Sequence, residues 1–347
     1  MPSLRTHLRL QRMKLAWQSL FAPKPGGMIL LYHRVQDVAS DPWRMAVRPE
    51  DFDRQMAFLA RLGTACTVSG LADHLARGAT GAPRIAVSFD DGYLDNKEVA
   101  LPILERHGVP ASFYVTSGAI GRDDAFWWDR LHRILLEEPS LPRELELQLP
   151  SGRRFTGSLG SEAEAGQKLL TACRTWSADL QPAAGPRQRL LLALWEELAP
   201  LDPEARRRVV QDLDKWSGSR RPAQERPMRP DELREFARSA LVEIGGHTRN
   251  HIDLSRAARD VAAREIADDR DDLRRMTGQE LRSFALPFGR AGGDTAELIR
   301  QAGYTSATTS RFGRCAPGSS LLHLPRIQIG EMPFKQFQTM LRSAVPA

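Results

Sequence analysis

The chain has 347 residues, 41% of them hydrophobic and 27% charged, with a formal net charge of +6. That is long enough for one large domain with insertions or for two domains, and apolar enough for a substantial core. The basic excess admits acidic partners, but no basic stripe interleaved with aromatics, zinc-finger spacing or helix-turn-helix pattern points to nucleic acid.

Residues 1–27 read as a basic amphipathic segment. Arg5, Arg9, Arg12 and Lys14 oppose Leu4, Leu8, Trp17, Leu20 and Phe21, and Pro23 and Pro25 break the pattern. Such a helix either lies on a membrane surface or packs on its own domain. No signal-peptide core and no apolar run of ~20 residues is visible. The expectation is a cytoplasmic protein, with peripheral membrane contact through this segment and packing on its own domain both left open.

Met28-Ile29-Leu30-Leu31-Tyr32-His33 is a short apolar run of the kind found in buried parallel strands. A helix is expected from Pro49, with Phe52, Met56 and Leu59 on one face and Gly63 as its stop. A shorter one carries Leu71, Ala72 and Leu75, with His74 expected at the surface. Ile85-Ala86-Val87-Ser88-Phe89 is a second buried strand, and it runs directly into Asp90-Asp91-Gly92-Tyr93. Two adjacent carboxylates at a strand end repel each other unless something neutralises one of them. A metal cation would bind one and leave the other for proton transfer. An ordinary Asp-Gly turn is the plain alternative. Residues 94–107 read as a helix closed by Gly108, and residues 109–115 as a strand, so the unit is βαβ and the sheet parallel.

Phe126-Trp127-Trp128-Asp129 offers either a sugar-stacking surface or a hydrophobic lock. Residues 130–228 change character. Leu145, Leu147 and Leu149 alternate before Pro150-Ser151-Gly152, a hairpin signal, and helical patterns follow. This region reads as a mostly helical insertion between two parts, 28–129 and 229–347, of one domain.

In the second part, Leu241-Val242-Glu243-Ile244-Gly245-Gly246 is a strand with a glycine exit, followed at once by His247-Thr248-Arg249-Asn250-His251. In a helical turn the spacing of four would put both imidazoles on one face. Ser255 is placed to cap the long polar helix that Gly278 ends. Residues 283–289 form a strand and its loop, residues 304–309 another strand, and residues 321–327 the last. Strand ends of a parallel barrel converge on one face. Asp91, His247 and His251 would there give two nitrogens and one oxygen to a divalent ion, with positions open for water and substrate. The three cysteines, Cys66, Cys173 and Cys315, are odd in number, far apart and outside CxxC spacing, so neither a disulfide framework nor a thiolate metal site is expected.

Ser88-Phe89-Asp90-Asp91-Gly92 and His247-Thr248-Arg249-Asn250-His251 with Leu254, in this order and each after a strand, resemble the first two motifs of the polysaccharide deacetylase family, the NodB-homology carbohydrate esterases. The resemblance covers roughly residues 28–130 and 229–310. It implies an α/β fold, a distorted (β/α) barrel, and metal-dependent hydrolysis of N-acetyl groups on an N-acetylhexosamine-containing glycan or lipid-linked sugar. It further implies Asp90 as general base, Asp91, His247 and His251 as metal ligands, and the Phe288 backbone N–H as oxyanion donor. Tyr93, Trp128 and Asp129 are the other expected substrate-facing residues. Zinc is the default ion, with cobalt, nickel or manganese as substitutes.

Two departures from the family pattern stand out. The arginine usually found two residues before the motif-three proline is Ala285 here, which leaves Arg290 or Arg326 to orient the base. The late histidine that acts as general acid is also out of context: His323 lies in a poorly matching Leu-His-Leu-Pro. Leu31-Tyr32-His33-Arg34-Val35 resembles a branch of the family with rearranged motifs, which favours His33 as the acid. An O-acetyl esterase, a small-molecule amidohydrolase and a non-catalytic carbohydrate-binding protein remain the alternatives.

Overall fold

The computed structural model describes residues 26–219 and 225–343. The basic segment expected over residues 1–27 lies, apart from Gly26 and Gly27, outside the described residues. Among those described, no helix is long and apolar enough to cross a membrane. The chain divides into two compact units, one of residues 1–36, 46–120 and 228–347, the other of residues 37–45 and 121–227.

The first unit is a parallel barrel with an outer layer of helices. Its strands are β1 (Gly27–Tyr32), β2 (Ala65–Cys66), β3 (Arg84–Phe89), β4 (Ala111–Val115), β5 (Val242–Gly246), β6 (Ser283–Ala285), β7 (Ser306–Phe312) and β8 (Leu324–Gln328). β1 pairs with both β3 and β8, so seven strands close in the order β1-β8-β7-β6-β5-β4-β3, and β2 adds to β3 from outside the ring.

Alternation along each strand sorts the side chains between two layers. Met28, Leu30, Tyr32, Ile85, Val87 and Phe89 point outward into the core shared with the helices. Ile29, Ala86, Tyr114, Ala285 and Leu324 point into the lumen. There they meet Val68, Leu71 and Leu75 of the helix Val68–Ala76, which plugs the end where the strands begin. His74 of that helix is buried, not at the surface, because the plug is covered on more than its apolar stripe. With that end sealed, the strand C-terminal ends form the unplugged face.

The second unit holds the expected hairpin. Strands Glu144–Gln148 and Arg154–Ser158 pair antiparallel, and Leu145 and Leu147 face inward. Helices Pro186–Leu198 and Pro203–Ser217 follow. The unit begins at Gly121, ahead of the boundary expected at residue 130, and takes in residues 37–45 as well. The sequence hides this because the tie is tertiary: Ala178 N–H donates to the Pro42 carbonyl, and Trp43 packs on Trp195 at 4.2 Å. Arg187 is fully buried there and donates to the carbonyls of Leu135, Glu138, Glu162 and Ala163, which makes a buried guanidinium tolerable.

Candidate active site

Register brings the chemistry together at the open end of the barrel. Tyr32 of β1 pairs with Phe89 of β3, so the next residues, His33 and Asp90, leave the sheet side by side. The Asp90 N–H continues the ladder to the Tyr32 carbonyl at 3.1 Å. By alternation both side chains point inward, as does Arg326 of β8, two residues on from lumen-facing Leu324.

Arg326 grips Asp90 with both terminal nitrogens at 2.7 Å, while its Nε donates to the Thr309 carbonyl at 3.0 Å. This is a bidentate, fully desolvated pair. Burial would raise the Asp90 carboxyl, but the Arg326 guanidinium, His247 and His33 outweigh it and hold it at about 2. Of the two arginines considered from the sequence, Arg326 is the one that holds Asp90. Arg290 is engaged elsewhere, with Asp253 at 3.0 Å.

Asp91 turns the other way. Its backbone has φ 78°, and Gly92 follows at 87°. A Cβ on Gly92 would come within 2.9 Å of Val115, so both conformation and contact demand glycine there. The turn carries the Asp91 carboxylate to two imidazoles. His247 Nε2 and His251 Nε2 each lie 3.5 Å from Asp91 Oδ1, an atom that is buried and makes no hydrogen bond. Ligand atoms of the three side chains all fall within 4.8 Å of one another. His247 Nδ1 lies 2.7 Å from the Ala285 carbonyl and must be the protonated nitrogen, so Nε2 presents its lone pair inward. An orphaned carboxylate oxygen facing two nitrogens suits a divalent cation, and the donor set of two imidazoles and one carboxylate fits that use. Burial lowers the basicity of His247, but Asp90 and Asp91 outweigh it and raise the imidazole above its ordinary value. The same histidines hold Asp91 below its own, against burial.

The two histidines do not share a helical turn. The loop after β5 is irregular, with Thr248 at φ 59° and His251 at φ 51°. Two left-handed residues curl it so that the rings meet edge to face with centroids 4.9 Å apart. The long helix starts at Arg259, beyond Ser255, whose hydroxyl binds Asp253 instead. Phe288, also left-handed at φ 56°, packs its ring edge to face on His251 at 4.7 Å.

His33 and His323 are at opposite ends of the barrel. Leu31 is level with Gln328, so His323 sits seven residues further back along the strand direction, or roughly 23 Å at about 3.3 Å per residue. Burial lowers His33 below the ordinary imidazole value. Asp91 and Asp90 pull it up, Arg326 and His247 push it down, so it senses the whole site. Its segment is clamped from the turn after Gly92. Asn96 Nδ2 donates to the His33 carbonyl at 2.8 Å, and Asp95 accepts from Val35 N–H at 3.1 Å and from Arg34 Nε at 3.0 Å.

Three expected substrate contacts are placed differently. Tyr93 is fully buried, with the Arg34 guanidinium 4.8 Å over its ring. Trp128 and Asp129 belong to the second unit and are each only 3% exposed. Trp128 stacks on Phe126 at 4.7 Å and meets Trp127 edge-on, so the aromatic run is packed as core and its faces are not open to a sugar. Asp95, Asn96 and Asp269 also hold the loops of the site, and none of them belongs to a motif visible in the sequence. Asp269 was hidden among the acids of a polar helix. The visible signal was its position, since Ala262, Ile266, Asp269 and Leu273 form the buried stripe.

The polysaccharide deacetylase family description matches residues 77–141 and 213–307. Among solved structures, the Streptococcus pyogenes deacetylase PplD, in complex with acetate, is 18% identical with a TM-score of 0.55, over 92% of this chain and 98% of that one. IcaB from Ammonifex degensii is likewise 18% identical over 92% and 98%, at 0.54. A de-N-acetylase from Aggregatibacter actinomycetemcomitans is 17% identical over 90% and 98%, at 0.50. No curated protein matches in sequence. At these identities the structures speak for the fold, and the family match spans both motif-bearing segments. The chain therefore carries a polysaccharide deacetylase domain, matched over residues 77–141 and 213–307, and is a hydrolase.

Proposed function

We propose that this protein is a metal-dependent deacetylase that removes N-acetyl groups from an N-acetylhexosamine-containing glycan or lipid-linked sugar. The observation that carries the reading is the pairing of a buried, arginine-held carboxylate, Asp90, with a metal-ligand triad, Asp91, His247 and His251. Two adjacent acids are thereby given separate partners, one cationic and permanent, the other suited to an ion.

Zinc is the expected ion, with cobalt, nickel or manganese as substitutes. When bound, it would polarise the acetyl carbonyl and make a neighbouring water more acidic. Asp90 is ionised at any pH above its value of about 2. It accepts the proton of the attacking water, and Arg326 fixes the direction in which its oxygens point. The Phe288 N–H donates to the oxyanion as the carbonyl carbon becomes tetrahedral. His33, beside Asp90 at the paired strand ends, delivers a proton to the departing nitrogen as the C–N bond breaks, leaving acetate and a free amine. Burial lowers the affinity of His33 for that proton, which favours its release.

Asp90→Asn should retain zinc and lose turnover by at least about 100-fold, the usual scale for a general base. His247→Ala should lose both zinc and turnover. The assay follows amine release from N-acetylated sugars against alcohol release from O-acetylated ones, which separates an amidase from an esterase. Full activity of the Asp90→Asn protein would refute the mechanism.

A further inference from the structure

Asp269 lies on the helix Arg259–Thr277 and is fully buried. Its Oδ2 accepts the backbone N–H of His247 at 2.8 Å, and its Oδ1 accepts the backbone N–H of Ser117 at 3.0 Å. Both oxygens of one carboxylate are thus used on two loops, those following β5 and β4. One turn earlier on the same helix, Glu265 accepts from the Asn250 N–H at 2.8 Å and from Asn250 Nδ2 at 2.7 Å. The helix therefore presents two carboxylates, spaced four apart, to the loop that carries both histidines. Gly246 makes the approach feasible. A Cβ there would sit 2.9 Å from Asp269 Oδ2 and closer still to the Tyr304 hydroxyl.

An acid in the buried stripe of a helix is costly unless its oxygens are satisfied. Here they are satisfied by main-chain groups rather than by a cation, and one of those groups belongs to a metal-ligating histidine. His247 is fixed at two points, N–H to Asp269 and Nδ1 to the Ala285 carbonyl, so Nε2 has little freedom left.

We propose that Asp269 is a positioning residue for the metal centre, holding His247 and the Ser117 loop in register by accepting one backbone N–H from each. It touches neither ion nor substrate. The inference rests on the metal reading of the site given above.

The substitution Asp269→Asn tests it. Asparagine has nearly the same volume but only one acceptor oxygen, so its NH2 must face one of the two N–H donors. Zinc binding to the metal-free protein, measured by titration calorimetry well below the unfolding midpoint, should weaken at least tenfold, as outer-shell losses do. In the zinc-saturated protein kcat should fall with KM unchanged. Asp269→Ser, which reaches neither N–H and introduces no clash, should show the same loss and serves if the asparagine variant does not fold. A variant that is less stable but binds zinc with wild-type affinity overturns the proposal and leaves the metal reading intact. A wild-type protein that binds no zinc overturns both.

Discussion

Replacing Arg326 by alanine removes one half of the buried pair and leaves Asp90 as an uncompensated charge. Holding the carboxyl at about 2 against an ordinary 3.8 corresponds to about 2 kcal/mol of net stabilisation of its ionised form, at about 1.36 kcal/mol per unit. Without the guanidinium, burial is opposed only by His247 and His33, and the carboxyl should rise above its ordinary value; the full loss at neutral pH should reach about 3–5 kcal/mol, the range for breaking a buried pair. The sign follows from linkage. The folded-state value of Asp90 is depressed, so its contribution is fully present above the unfolded value near 4 and is lost as pH falls toward 2. Urea unfolding of wild type and Arg326→Ala, both metal-free, should therefore show a gap at pH 7 that begins to narrow at the variant's raised carboxyl value, above pH 4, and goes on narrowing to about pH 2. The acid limb of the rate profile should move upward in the variant, because its base is no longer held ionised. The double substitution Asp90→Asn with Arg326→Met removes both charges and should restore at least half of the lost stability. Equal stability of wild type and Arg326→Ala at pH 7, or a gap that does not change with pH, would refute the argument.

Three further outcomes are expected. His33→Ala should reduce kcat by about 100-fold or more while His323→Ala leaves it unchanged, because only the first lies at the open end of the barrel; steady-state kinetics on an N-acetylated oligosaccharide decide it. Asn96→Ala removes the donor to the His33 carbonyl and should cost about 1–3 kcal/mol in unfolding experiments, with zinc content unchanged by elemental analysis and kcat reduced. Gly92→Ala should destabilise by about 1–3 kcal/mol, since φ 87° is hostile to a side chain and Val115 stands in the way; a midpoint equal to wild type would show that the turn can relax.

The sequence displayed the barrel because buried parallel strands write themselves as short apolar runs, and its strand ends because Asp90-Asp91-Gly92 and His247 follow such runs directly. Arg326 could be named only as one of two candidates. What singles it out is the closure of β8 on β1, a pairing between residues 297 positions apart that no local pattern reports. Trp128 misled for a related reason. Adjacent tryptophans look the same in sequence whether their faces are open or stacked, and here Phe126 takes the face. The histidine pair was legible as a pair but not as a loop, since spacing of four is natural to a helix and the left-handed residues that replace it carry no composition signal when they are Thr and His.

That last feature bears on how the site is kept in shape. Six non-glycine residues among those described have positive φ, and four of them, Asp91, Thr248, His251 and Phe288, belong to the site. Each costs about 1–2 kcal/mol relative to a residue free to avoid that region. Glycine would relieve the strain at every one, but glycine cannot ligate an ion or pack against an imidazole. The strain persists only where surrounding bonds over-determine the backbone, and those bonds are identifiable. The Thr116 N–H donates to the Asp91 carbonyl, and Thr248 Oγ1 accepts the Ile252 N–H. Glu265 and Asp269 hold the histidine loop to a helix of 19 residues. The rigid parts are regular structure, the barrel strands and the long helix. The candidate site residues lie on short irregular loops strung between them, and the histidine loop is anchored by side chains from an element that carries no ligand of its own.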